Sequence, residues 1–174
     1  PRAVDLATWQ KLTNPSAQIV GDIALGVDTW STSAGATGRY GTHYIAVAGK
    51  TADGRTLVEV IHQQSGMMGL EDKLGQAIER FSPVAVSWDD GSGHALSPII
   101  HRTVPEALLV PLRGREWAAA CGAFKTAVDE GYLTHLGQDW LELSIEGVGR
   151  KQRGEGWVWD RLTASSDISP LCAA

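Results

Sequence analysis

A chain of 174 residues is long enough for one domain, which buries roughly 70% of the surface that its unfolded form exposes. The hydrophobic fraction of 43% and the charged fraction of 20% are ordinary for a globular protein and argue against disorder. A net charge of -5 weighs weakly against a nucleic-acid partner, although a cluster of acidic metal ligands would itself lower the total.

The first twenty residues show no hydrophobic period. They contain Pro1, Pro15 and scattered polar residues. We predict that residues 1–20 are a lead-in linker from something upstream, and that the folded domain comprises residues 21–174.

Three strands are predicted next. Residues 23–27 form a short apolar run that ends in Asp28, and a loop rich in Ser, Thr and Gly follows over residues 29–42. Residues 43–48 and 56–62 are typical of strands, and Asp53-Gly54 between them is a strong hairpin signal. An antiparallel meander is therefore expected.

From Gly69 the hydrophobic period becomes helical, with Leu70, Leu74 and Ala77 on one face, and Pro83 follows the helix. Residues 84–88 then form a second short apolar strand that ends, like the first, in a carboxylate, Asp89.

The second half is predicted to be mainly helical. Helices are expected near residues 94–102, from Trp117 to a stop at Gly131, and over residues 138–148, with a strand at residues 108–112. Residues 154–161 are typical of a strand or hairpin arm, and residues 165–170 open a helix. The alternating Trp157 and Trp159 are interpreted as core residues rather than as base-stacking platforms.

This order predicts an α/β fold: a mixed five-stranded sheet, three antiparallel strands then two parallel ones, with helices on both faces. Right-handed crossovers allow the strand ending at Asp89 to lie parallel to the strand ending at Asp28. Both carboxylates would then share the sheet edge at which open α/β sheets bind ligands.

Converging aspartates repel each other, and a divalent cation removes that cost. Hard oxygen ligands suit Mg²⁺ or Mn²⁺, and two such ions about 3.5–4 Å apart can promote phosphodiester hydrolysis. We predict that Asp28 bridges two ions, that Asp89 binds one and that Asp167 binds the other. Asp90 is an alternative to Asp89, though it also suits a turn, and Asp167 could instead cap a helix.

Several basic residues are candidates for binding DNA phosphates. Arg150, Lys151 and Arg153 precede the Trp-containing strand, where a loop could follow a DNA backbone. Further candidates of the same kind are Arg113, Arg115 and His94, and the alternative for His94 is an ordinary surface or core residue.

The two cysteines, Cys121 and Cys172, have no CxxC spacing, so no structural zinc site is expected and both are predicted to be reduced core or helix residues. No stretch approaches the length of a membrane span, and the N-terminus lacks a signal sequence. A cytosolic location and no membrane partner are therefore expected.

Six segments together resemble the nuclease domain of the large terminase subunit of tailed phages, in particular those of actinobacterial hosts. They are residues 24–28 (ALGVD), 84–89 (VAVSWD), 120–124 (ACGAF), 133–137 (LTHLG), 156–161 (GWVWDR) and 165–171 (SSDISPL). The resemblance covers most of the chain.

The resemblance implies an RNase H-like fold and metal-dependent cleavage of concatemeric double-stranded DNA with little sequence preference. Asp28, Asp89 and Asp167 match the family's metal positions. It also implies an upstream ATPase motor domain, portal and small-subunit partners, and the host cytoplasm as location.

Three alternatives stay open. A non-catalytic packaging or DNA-binding module could keep this fold, and a resolvase or transposase could share it. The residues Gly26-Val27-Asp28-Thr29 also resemble the phosphate-binding turn of actin-like ATPases, although those proteins need two such domains to enclose a nucleotide.

Overall fold

A computed structural model describes residues 2–31, 40–91 and 96–174. Its helices and strands are, in chain order, α1 (Leu6–Lys11), β1 (Ile23–Ser31), β2 (Tyr40–Lys50), β3 (Thr56–Ser65), α2 (Leu70–Phe81), β4 (Ala85–Asp89), α3 (Leu96–Thr103), β5 (Leu109–Leu112), α4 (Arg115–Asp129), β6 (Leu133–His135), α5 (Asp139–Gly147), β7 (Gly149–Arg153), β8 (Gly156–Asp160) and α6 (Ser169–Ala173).

The main sheet has six strands in the order β5-β4-β1-β2-β3-β6. Strands β1, β2 and β3 are antiparallel neighbours, as predicted, and Gly54 takes a positive φ of 84° in the turn between β2 and β3. Strand β4 pairs in parallel with β1, and β5 pairs in parallel with β4. The expected arrangement of three antiparallel strands followed by two parallel ones is confirmed.

Helices cover both faces of this sheet, as predicted. On one face Leu70 and Leu74 of α2 and Ile100 of α3 pack with Leu25 and Val27 of β1. On the other face the buried side chains of α1, α4, α5 and α6 share a core with the alternate residues of β2 and β3. Successive side chains of a strand point to opposite faces, so β1 contributes Val27 to the first core and Asp28 to the second face.

Two strands were not predicted as such. Strand β6 has only three residues and pairs in parallel with β3, which makes the sheet six-stranded rather than five-stranded. Strand β7 forms an antiparallel hairpin with β8, whereas its residues were expected to form a loop. Its sequence, GRKQR, is exposed after the first residue and carries no hydrophobic alternation, so only its pairing with β8 defines it.

The segment expected to be a linker belongs in part to the fold. Asp5 accepts a hydrogen bond from the Thr8 backbone N–H at 2.8 Å and caps α1. Trp9 of this helix is fully buried and stacks on His135 at a centroid distance of 3.9 Å. The folded domain therefore includes residues before position 21. The helix was not predicted because six residues are too few to show a hydrophobic period in the sequence.

Both cysteines are free, and Cys121 is buried on α4 while Cys172 lies partly buried on α6, as predicted. Trp159 is buried and meets Phe124 edge-to-face, which confirms its place in the core. Among the helices of the described ranges, none is long and apolar enough to cross a membrane.

Candidate metal and DNA site

Asp28 and Asp89 lie at the carboxyl ends of two adjacent parallel strands. The β1–β4 register aligns Gly26 with Ser87, and each aspartate follows two residues later on its own strand. Their residues are only 2% and 4% exposed. The predicted convergence of these two carboxylates is what the sheet produces, and burial makes their mutual repulsion costly.

The side chain of Arg161 lies between the two carboxylates. Its Nη1 and Nη2 donate to Oδ2 and Oδ1 of Asp28 at 2.7 and 2.8 Å, a bidentate ion pair. The same Nη2 lies 3.8 Å from Oδ2 of Asp89. One guanidinium thus compensates two buried negative charges in this structure.

The electrostatics of the pair reflect its burial. Burial raises the pKa of Asp28, and the nearby charge of Asp89 acts in the same direction, while Arg161 opposes both. For Arg161, burial alone would lower the pKa, but the attraction of Asp28 outweighs it and the pKa is raised. Arg161 therefore stays charged, and its charge opposes the effect of burial on the pKa of Asp28.

Helix α6 lies directly on β1 because position 26 is a glycine. A Cβ atom added at Gly26 would lie 1.7 Å from the backbone oxygen of Ala173. This close approach brings Ser169 beside Asp28, where the hydroxyl acts to lower the pKa of that carboxyl. Ser169 Oγ is nevertheless buried without a partner of hydrogen-bond geometry among the described residues, so an oxygen atom remains available at the site.

Asp167 lies near this pair, but both of its carboxylate oxygens accept hydrogen bonds from other groups. Its Oδ2 accepts from the Tyr44 hydroxyl at 2.8 Å, and its Oδ1 accepts from the Ser169 backbone N–H at 2.9 Å at the start of α6. Burial and the contact with Asp167 raise the pKa of Tyr44, which keeps that phenol protonated as a donor. Across the described residues no three His, Cys, Asp or Glu side chains form a group that could hold a metal.

Asp90 faces away from Asp28. Its Oδ1 accepts from Trp88 Nε1 at 3.1 Å, and its Oδ2 is ion-paired with Arg113. Burial acts to raise the pKa of Asp90, but the hydrogen bonds from Arg113, Ser97 and Trp88 outweigh it and the pKa is lowered. Of the two adjacent aspartates, it is therefore Asp89 that shares the guanidinium with Asp28.

A cationic groove adjoins Asp89. Lys151 and Arg153, which alternate on β7, line a cavity of about 290 Å³ together with Asp89 and Arg161. A Cβ atom on Gly91 would lie 3.7 Å from Nη2 of Arg153, so this arginine reaches the turn that follows β4.

The other predicted basic residues are placed differently. The guanidinium of Arg150 lies 5.4 Å from the ring centroid of Trp157, on the opposite face of β7. Arg113 is engaged by Asp90, and Arg115 begins α4. His94 lies outside the described residues.

Three residues of this site were not predicted. They are Arg161, Tyr44 and Ser169. The signal for Arg161 is weak, because a lone arginine after a strand is common. Arg161 meets its two acidic neighbours, Asp28 and Asp89, only through the tertiary fold.

No protein-family model matches the sequence, and no curated protein matches it. Solved structures do match the fold. The large terminase of bacteriophage HK97 is similar with a TM-score of 0.79 and 13% identity over 99% of this chain and 42% of that chain. The chain thus spans less than half the length of the HK97 protein.

Two isolated nuclease domains match over nearly their full length. The large terminase nuclease of thermophilic phage G20c, with bound magnesium, gives a TM-score of 0.62 at 11% identity, covering 99% of this chain and 95% of that chain. A mutant nuclease domain of the large terminase subunit gp2 of bacterial virus Sf6, with manganese and beta-thujaplicinol, gives 0.60 at 12% identity with the same coverage. At such identities the likeness establishes the fold, and the predicted RNase H-like fold is confirmed.

Proposed function

We propose that this domain is a divalent-metal-dependent endonuclease that hydrolyses phosphodiester bonds of double-stranded DNA. The observation that carries the proposal is the buried pair of Asp28 and Asp89, which share one cation at the carboxyl ends of adjacent parallel strands. The pair lies in a fold shared with nuclease domains that were determined with magnesium and with manganese. Fold alone would not suffice, because function belongs to the site.

The donor set suits a hard divalent cation. Two buried carboxylates already accommodate one positive group, and the Ser169 hydroxyl beside them has no partner among the residues described. Asp28 and Asp89 would hold the first ion. Asp167 would serve a second ion, as proposed from the sequence, only by exchanging its hydrogen bond with Tyr44 for the cation. When bound, such ions activate an attacking water and stabilise the leaving oxygen of a phosphodiester.

Basic side chains in the groove beside Asp89 would position the DNA. Lys151 and Arg153 present positive charge along the groove that leads to Asp89, so a phosphate backbone in this groove would pass over the carboxylates. Tyr44 remains a proton donor and orients the carboxylate of Asp167. Of the proposed DNA contacts, Lys151 and Arg153 are favoured over Arg150, Arg113 and Arg115.

We further propose that the domain cuts concatemeric viral DNA during genome packaging in the host cytoplasm. Its partners would be an upstream ATPase motor domain, the portal and the small terminase subunit. The likeness to nuclease domains of phage large terminases supports this role. The actinobacterial host stays a prediction from the sequence resemblance.

A non-catalytic DNA-binding module is the second candidate. The observation that favours it is that Asp167 is engaged by Tyr44, so that within the described part of the chain no three-ligand group forms. Such a module would bind duplex DNA without cutting it.

Cleavage of supercoiled plasmid separates the two candidates. The purified chain is incubated with Mg²⁺, Mn²⁺ or EDTA, beside Asp28→Asn, Asp89→Asn and Asp167→Asn and with Asp90→Asn as the matched control. We expect metal-dependent nicking and linearisation that Asp90→Asn retains and the other three variants lose. A folded wild type that binds duplex DNA but leaves the plasmid intact would support the binding module instead.

A further inference from the structure

Arg161 occupies the place that a divalent cation would need. Its guanidinium donates to both oxygens of Asp28 at 2.7 and 2.8 Å, and it lies 3.8 Å from the nearer oxygen of Asp89. An ion bound by both carboxylates would have to replace these contacts. A bidentate arginine–carboxylate pair that is mostly buried is among the stronger ion pairs in proteins, so the competition is substantial.

The side chain of Arg161 also has a route out of the pair. It is 22% exposed and lines the same groove as Lys151 and Arg153. Its backbone is held separately, because Asp160 accepts hydrogen bonds from Leu162 N and Thr163 Oγ1 at 3.1 and 2.6 Å. The guanidinium can therefore turn into the groove while the backbone of the turn keeps its place.

We propose that Arg161 is a built-in counter-ion that closes the site in the absence of DNA, and that a DNA phosphate in the groove draws it away and opens the carboxylates to metal. A phosphate offers the guanidinium the same bidentate geometry that Asp28 offers. Because the arginine leaves one partner for the other, DNA binding and metal binding become positively coupled. By linkage the effect is reciprocal, so metal also tightens DNA binding.

This inference rests on the proposed metal site, and it predicts measurable affinities. A protein whose competent state is populated at about 0.1–10% binds its ligand roughly 10- to 1000-fold more weakly than the competent state alone. Mn²⁺ should therefore bind the wild type weakly without DNA. Binding should tighten by about 10-fold or more when a duplex is present.

The test is calorimetric titration of Mn²⁺ into the 174-residue chain, with and without a short phosphorothioate duplex that resists cleavage. Arg161→Gln is compared with the wild type, and Arg113→Gln, which removes the ion pair with Asp90 but no contact of Asp28, is the matched control. We expect Arg161→Gln to bind Mn²⁺ at least about 10-fold more tightly without DNA and to show no dependence on the duplex. Arg113→Gln should behave like the wild type.

A second measurement follows Arg161 itself in the wild type. The side-chain Nε–H resonance of Arg161, assigned with Arg161→Lys, is followed by NMR in the wild type during titrations with Mg²⁺ and with the duplex. We expect each titration to shift this resonance away from its position in the closed pair. A purely structural arginine would leave it unchanged.

The outcomes separate the two proposals. If the wild type and Arg161→Gln bind Mn²⁺ equally, and the Arg161 resonance does not move while plasmid is still cleaved, the counter-ion proposal is wrong and the nuclease stands. If no folded variant binds Mn²⁺ with or without DNA, both proposals are wrong.

Discussion

Two aspartate–arginine ion pairs lie close together at the ends of β1, β4 and β5, and they differ in the exposure of the arginine. In the first pair the side chains of Arg161 and Asp28 are 22% and 3% exposed. In the second the Arg113 side chain is 70% exposed and Asp90 is 5% exposed. Both carboxylate side chains are largely covered, so the two pairs differ mainly in how much of the arginine lies in water.

The partners of each carboxylate explain the direction in which its pKa is shifted. Asp90 also accepts from Trp88, and its pKa is lowered once those hydrogen bonds outweigh burial. Asp28 has a second carboxylate nearby, and its pKa is raised by burial despite Arg161. A carboxylate that is fully satisfied by its neighbours is structural, whereas one that remains costly to ionise is suited to bind a further cation.

The largest expected effect is on stability without metal. Arg161→Ala should lower the free energy of unfolding in EDTA by about 3–5 kcal/mol, because it removes the bidentate cation of the buried Asp28 carboxylate. Arg113→Ala should cost about 0–1 kcal/mol, because its guanidinium is mostly in water. Urea denaturation followed by circular dichroism measures both. Equal decreases in the two variants would show that exposure of the arginine does not decide the cost.

Metal should reverse part of that destabilisation. Adding millimolar Mn²⁺ should raise the melting temperature of Arg161→Ala by more than that of the wild type, since an ion that binds only the folded state stabilises it in proportion to occupancy. The melting temperature of Arg113→Ala should rise no more than that of the wild type. Thermal melts with and without EDTA provide the comparison, and an identical shift in all three proteins would contradict it.

Helix α6 packs against β1 beside the first pair, and Gly26 tests that packing. Gly26→Ala places a Cβ against the backbone of Ala173 and should destabilise the fold by about 1–3 kcal/mol. Gly122→Ala in α4 is the control: its added Cβ meets no described atom within 4 Å beyond its chain neighbours and the backbone of its own helix, so it should stabilise by about 0.5–1 kcal/mol. A neutral Gly26→Ala would mean that α6 can shift away from β1 at no cost.

The smallest expected effect is on the affinity for duplex DNA, through the basic side chains of the groove. Replacing Lys151 and Arg153 by alanine should weaken duplex binding and reduce the slope of log affinity against log salt by about 2, because each of the two side chains would neutralise roughly one phosphate. Arg150→Ala, on the opposite face of the same strand, should leave that slope unchanged. Binding titrations at several salt concentrations measure it. A reduced slope for Arg150→Ala alone would reverse the assignment of the DNA-facing side.

Much of the fold was predictable because hydrophobic period is a local property. The apolar runs that end in Asp28 and Asp89, the Asp53-Gly54 turn and the amphipathic α2 were all identified from the residues and agree with the structure. Strand β6 and helix α1 were missed for the opposite reason. Both are short and are defined by distant partners, β3 for the strand and the His135 ring for Trp9 of the helix.

The sequence by itself determined the longer helices and strands, the α/β class and the placing of Asp28 and Asp89 at one edge, since these follow from period, turn residues and strand direction. Tertiary structure alone decided which neighbour each charged group received. The pairing of Asp28 with Arg161 spans 133 positions along the chain, and that of Tyr44 with Asp167 spans 123. Electrostatic interactions depend on distance and burial in space, and a linear sequence contains neither of them explicitly.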